Sequence, residues 1–229
     1  MLVLLVLLTI GGIYLMGERK QPPVADPSPA ASASESPSPS PSPSGIDPAS
    51  LDDEETDETP LRTSQMFPDS TFTGSNGDEY SLAGTLETDA CAGVGSGVVK
   101  ELMKRHDCDR MVVGVYLNSD EKLFSGLLVI PFSDADEAEA VEGEIIEDKQ
   151  EHINALTYYC PSTGQPGADQ CKRKADNPAT WYASFKTFHR YLLVSISLYT
   201  DGRRTKNLDD VNQMASDIKV HVTQAMVED

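Results

Sequence analysis

Between Gln21 and Ser44 proline recurs so often that no regular fold can run through the stretch. From Pro37 to Pro43 every second residue is proline, alternating with serine. Each ring fixes φ and removes a backbone donor, which excludes both helix and central strand. The tract reads as extended polyproline-like chain, a spacer of roughly 56 Å at about 3.1 Å per residue. It also partitions the molecule, because a folded core has to be built from the residues downstream of it.

The run Asp52-Asp53-Glu54-Glu55-Thr56-Asp57-Glu58 comes next. Its like charges repel, so it is expected to prolong the spacer. Large apolar side chains are scarce throughout residues 18–66, and the whole stretch reads as a disordered Ser/Pro-rich and acidic linker. Upstream, Leu2–Met16 carries no charge. As a helix it would reach only about 22 Å, short of a hydrocarbon core of about 30 Å. That length suits the apolar region of a signal peptide as well as an anchor. No small-x-small cleavage pattern closely follows Met16 and no cysteine lies nearby, so residues 1–17 are taken as an uncleaved, single-pass membrane helix. Arg19 and Lys20 would hold their flank in the cytoplasm by the positive-inside rule. The Ser/Pro tract and four distal cysteines argue the reverse and are weighted more heavily. The expectation is a cell-membrane protein whose C-terminal domain, residues 67–229, lies outside the cytoplasm.

With 37 acidic and 18 basic side chains the net charge is −19. Nucleic-acid binding needs clustered Lys and Arg to displace counterions from phosphates. The longest basic cluster is Lys172-Arg173-Lys174, set between acidic segments, so a nucleic-acid partner is excluded and the charge is read as solubilising.

Within 67–229 the apolar spacing is regular. Val94, Val98 and Leu102, with Val99 and Met103, mark a helix over 89–105. Residues 111–117 alternate as a strand, Asn118-Ser119-Asp120 is turn chemistry, and Leu123–Phe132 is a second strand, apolar on both faces. Ser133, with Asp136 three residues on, is the expected cap of a helix over 134–150. Residues 157–180 are irregular. Trp181–Phe188 and Tyr191–Tyr199 are two more strands; in the second, Leu192, Val194, Ile196 and Leu198 face one way and Ser195 and Ser197 the other. Asn207 caps a last helix whose seam is Leu208, Val211, Ala215, Ile218, Val222 and Ala225. Helix, hairpin, helix, loop, hairpin, helix implies an α+β fold. The predicted architecture is an antiparallel four- to five-stranded sheet with helices on one face, ferredoxin-like or related.

Cys91, Cys108, Cys160 and Cys171 form an even set beyond an export-like segment, which suggests two disulfides with three connectivities open. A Cys160–Cys171 bridge closes a short loop rich in Gly and Pro. A Cys91–Cys108 bridge is excluded by a continuous helix, about 25 Å end to end, and works only if the helix begins near Ser96. Gly93, Gly95 and Gly97 favour such a late start. Neither a Cys-x₂-Cys pair nor paired histidines occur, so no zinc site is expected. No phosphate-binding glycine loop, nucleophile elbow or His-Glu-x-x-His is present, so no catalytic residues, metal or cofactor are assigned. His106, His152, His189 and His221 are scattered among surface-like positions. Aromatic residues gather near the third hairpin, where Tyr159, Trp181, Tyr182, His189 and Tyr191 are the candidate ligand surface.

The segments Asp89-Ala-Cys91, His106-Asp-Cys108, Gly126-Leu-Leu-Val-Ile-Pro-Phe132 and Phe188-His189-Arg190-Tyr191-Leu192, set behind an apolar anchor and a Ser/Pro stalk, resemble those of uncharacterised membrane-anchored extracytoplasmic proteins of actinomycetes. The resemblance spans about residues 80–227, implies an extracytoplasmic domain and carries over no catalytic residues. The layout is also similar to extracellular sensor domains of bacterial receptor kinases, although no kinase domain is present. The expected function is a non-catalytic binding or interaction module of the cell envelope. It would engage an envelope component or a protein partner. The alternative is an envelope hydrolase or small-ligand enzyme without a recognisable motif.

Overall fold

The computed structural model describes residues 46–172 and 181–228. The expected membrane helix and the Ser/Pro tract lie outside those residues. No helix among the described residues is long and apolar enough to cross a membrane.

Among the described residues six strands make one open sheet: β1 (Thr71–Thr73), β2 (Glu79–Thr88), β3 (Met111–Asn118), β4 (Leu123–Pro131), β5 (Trp181–Phe188) and β6 (Tyr191–Tyr199). Their order is β1-β2-β3-β4-β6-β5, and every neighbouring pair is antiparallel. The helices are α1 (Thr63–Met66), α2 (Gly97–Arg105), α3 (Ala135–Glu147), α4 (Lys149–Ala155), α5 (Ala168–Lys172) and α6 (Asp209–Ala225). The α+β class and the antiparallel sheet agree with the sequence reading.

Two features of that reading are corrected. The sheet has six strands instead of four to five, because β1 and β2 extend it beyond β3. β2 is weakly apolar, mostly half-exposed, and interrupted by a register shift between Leu82 and Gly84. A half-exposed, bulged strand of that composition leaves little periodic signal. The helices also cover both faces instead of one. Leu192, Val194, Ile196 and Leu198 of β6 join the core under α2 and α3, whereas Tyr191, Leu193 and Tyr199 join the core under α6. Ser195 and Ser197, which face the opposite way from Leu192, Val194, Ile196 and Leu198, are fully buried on the α6 side. Their small side chains leave room for the helix, and Ser197 Oγ donates to Ser125 Oγ at 2.8 Å.

The unit β4–α3–β5, with β6 inserted between its strands, is a split β-α-β of the kind found in ferredoxin-like folds. The likeness ends there. A ferredoxin-like layer would place α6 beside α3, but the apolar seam of α6, Val211, Met214, Ile218 and Val222, lies on the opposite face.

Local chemistry explains the helix limits. Asp134, one residue beyond the expected Ser133, caps α3 by accepting from the Glu137 amide at 2.8 Å. The helix predicted over 89–105 is a short 3₁₀ turn at Cys91–Gly93 and then α2. Gly97 stands at φ +49°, a left-handed conformation that favours glycine, and the chain doubles back there. Cys91 and Cys108 thereby come to a Cα separation of 5.7 Å and are bonded, as are Cys160 and Cys171 at 5.5 Å. All four cysteines are paired as disulfides, and no free cysteine is found among the described residues.

Candidate functional site

The acidic run does not extend a linker to residue 66. Residues 46–67 are folded onto the sheet, a correction to the 18–66 boundary. A 3₁₀ helix at Pro48–Asp52, capped by Asp47, buries Leu51 completely. Leu61, Met66 and Phe67 join it in the core under α6. Phe67 lies so close over β3 that a Cβ on Gly114 would meet its ring at 2.7 Å. Glu54 N donates to Ser133 O at 2.8 Å, and Asp53 bridges to Asp134.

Basic and hydroxyl side chains then receive the acids. The turn between β5 and β6 presents His189, Arg190 and Tyr191 in succession. His189 Nδ1 lies 2.7 Å from Asp52 Oδ1. Arg190 Nε donates to Asp57 Oδ2 at 2.7 Å, and the Tyr191 hydroxyl donates to the same oxygen. The Thr59 amide donates to the other Asp57 oxygen at 2.9 Å. Arg110 Nη2 reaches Glu54 Oε1 at 3.2 Å. Asp57 and Arg190 have side-chain exposures of 0% and 4%, so this is a buried ion pair. Burial pushes the Asp57 carboxyl up, but the bonds from Tyr191 and Arg190 outweigh it and hold the group below its ordinary value of 3.8. Arg190 also donates to Phe132 O at 2.6 Å, and its own amide donates to Leu51 O at 3.1 Å. His189 adopts φ +52°, unusual for a residue other than glycine, at the point where these contacts converge.

Beside this corner is a polar cleft of about 180 Å³, lined by Glu54, His106, Asp109, Arg110, Ser133 and Glu137 among others. His106, just past the C-terminus of α2, sets Nδ1 2.6 Å from Glu137 Oε1 and Nε2 2.9 Å from Glu144 Oε1. With both ring nitrogens turned to carboxylates, the ring clamps the end of α2 to α3 instead of offering a free nitrogen to the cleft. The His106 bond holds Glu144 below the usual carboxylate value against the opposing effect of burial, with Arg105 contributing. Among the described residues no group of His, Cys, Asp and Glu is arranged to hold a metal ion.

The candidate ligand surface does not gather on one face. Tyr159 and Trp181 pack on the α2/α3 side, Tyr159 donating to Gly93 O at 2.9 Å and Trp181 standing edge-on to Tyr158 at 5.5 Å. Tyr182 and Tyr191 belong to the α6 side, with Tyr191 fully buried. His189 sits at the hairpin turn. The Cys160–Cys171 loop lies at the other end of β6, where Gly164–Asp169 face Thr200 and Asp201 across a shallow hollow. The histidines are also less superficial than their sequence positions suggested. His221 stacks on Phe72 at 4.0 Å, and burial lowers its pKa.

Comparison with models of known protein families, with curated proteins and with solved structures finds no match for this chain. The functional reading therefore rests on the geometry alone. Residues that sequence reasoning passed over carry the most specific contacts: Asp57 was one acid in a run of acids, and Arg190 one residue of a turn.

Proposed function

We propose that this chain is a single-pass, membrane-anchored protein whose folded domain stands outside the cytoplasm as an interaction module for an envelope component or a protein partner. The observation that carries the reading is the pair of disulfides, Cys91–Cys108 and Cys160–Cys171. Cys91–Cys108 joins the two ends of the segment that carries α2, Cys160–Cys171 ties the loop after α4 to α5, and such bonds persist where the environment is oxidising. The docked acidic strap supports the same reading. It packs residues 46–67 onto the sheet, so the folded domain begins close to the end of the Ser/Pro tract in sequence. The resemblance to membrane-anchored actinomycete proteins fits this placement.

The test uses the full chain in intact cells. Protease added outside should release a C-terminal epitope, and crosslinking before lysis should trap the domain on the same envelope component in repeated experiments. A C-terminus that stays protected until the membrane is permeabilised would refute the placement. Recovery of only cytoplasmic partners would refute the function.

A further inference from the structure

We propose that Ser184 and Lys219 form a nucleophile–base pair for acyl transfer, acting on an ester or peptide carbonyl presented along the outer edge of β5. This goes beyond the interaction role and does not depend on it.

Ser184 lies on β5, an outer strand of the described sheet, with its side chain toward α6. Lys219, on α6, does not extend into solvent as surface lysines do. Its Nζ turns back to hydrogen-bond Ser184 Oγ. That contact between a hydroxyl and an amine is the geometry an activated serine needs, provided the amine can be neutral. Burial lowers the Lys219 pKa; Lys186 on β5 acts in the same direction, and Glu142 on α3 opposes them. Glu142 is already engaged by the amide and hydroxyl of Thr187, at 3.0 and 2.9 Å. The other ionisable groups on this stretch of α6 are engaged elsewhere: Asp217 is held by Ser75, Tyr80 and Gln213, and His221 stacks on Phe72.

Two further observations bear on the pair. Ser195 is the cross-strand partner of Ser184; its hydroxyl is fully buried and has no hydrogen-bond partner. It points to the same side of the sheet, where it can orient the amine, the third-group role in such arrangements. The Thr187 amide turns away from β6 to reach Glu142, so the alternation of an antiparallel ladder turns the Phe185 amide the same way. An amide immediately after the nucleophile is a natural donor for an oxyanion.

In the proposed step, neutral Lys219 takes the proton of Ser184 as Oγ bonds to the carbonyl carbon. The tetrahedral oxyanion collapses, the bond to the leaving alkoxide or amine breaks, and Lys219 returns the proton to that group. Water then enters by the same route and releases the acid.

The test treats the purified full chain with a small alkyl fluorophosphonate. Ser184 Oγ should bond to phosphorus with loss of fluoride and transfer of its proton to Lys219. One adduct is expected, mapped to Ser184 by peptide mass spectrometry. It should be absent in Ser184→Ala and form about 10²-fold more slowly or worse in Lys219→Met, the scale of a lost general base. The wild-type labelling rate should rise with pH through a midpoint below the ordinary lysine range. If Lys219→Met loses its circular dichroism spectrum, Lys219→Arg takes its place, since it keeps the charge and stem but cannot accept the proton. Absence of a Ser184 adduct up to pH 10, or equal labelling in a folded Lys219 variant, would overturn the proposal. As an independent readout, ¹³C-methylated lysines should include one titrating below the rest, which disappears in Lys219→Arg; uniform titration would overturn it as well.

Discussion

Arg190 shows how much one residue can hold. Its guanidinium is buried against a fully buried carboxylate, its amide meets Leu51, and its carbonyl accepts from Phe132. Removing one member of a buried pair strands the other charge, so Arg190→Met is expected to cost about 3–5 kcal/mol in urea unfolding. Replacing Asp57 with Asn at the same time should recover part of that loss, since no unpaired charge remains. The pH dependence derives from the lowered pKa of Asp57. A carboxyl whose folded value lies below its unfolded value of 3.8 contributes stability that is fully present above the unfolded value and is lost as pH falls through the folded one. Stability measured from pH 6 down to pH 2 should therefore fall more steeply in the native protein than in Asp57→Asn. The sequence marked Phe188-His189-Arg190 as a turn, and it is one. It could not mark the partner of Arg190, because the pairing closes across 133 residues and the chain offers 37 acids to choose from.

At the scale of elements, the docked strap is the main departure from the sequence reading. Seven residues containing six acids look like chain that repels itself, yet Arg110, His189 and Arg190 receive three of those acids and apolar anchors at Leu51, Leu61 and Met66 frame the run. Those anchors are widely spaced and aperiodic, so no helical or strand period revealed them. Leu51→Ala is expected to destabilise the domain by about 2–5 kcal/mol, as for other fully buried leucines. A chain beginning at residue 59 should unfold at distinctly lower denaturant than one beginning at residue 45. β3, β4, β5, β6 and α6 were legible because their apolar periods are long and clear; β2 was not, because it is half-exposed and kinked. The late start of α2 was legible from three glycines, and with it the condition for the Cys91–Cys108 bond. Replacing Cys160 and Cys171 together by Ser should cost about 2–4 kcal/mol, the usual range for a short closed loop.

Across the whole domain, a sheet covered on both faces explains why nearly all of β3, β4 and β6 is buried and why β4 reads as apolar on both faces. The candidate ligand surface was less legible, since alternation along β5 sends successive aromatics to opposite layers and a cluster in sequence is not a cluster in space. Lys219 escaped notice for a related reason. A lysine in an amphipathic helix normally marks the solvent side, and only the fold brings it against a serine. The claim on which placement and function rest is that all four cysteines are oxidised in the native protein. The direct measurement is mass-shift alkylation of protein extracted from intact membranes, with a polymer-bearing maleimide applied before and after reduction. The expected result is no shift without reductant and four additions with it. Any cysteine that reacts before reduction would contradict the account.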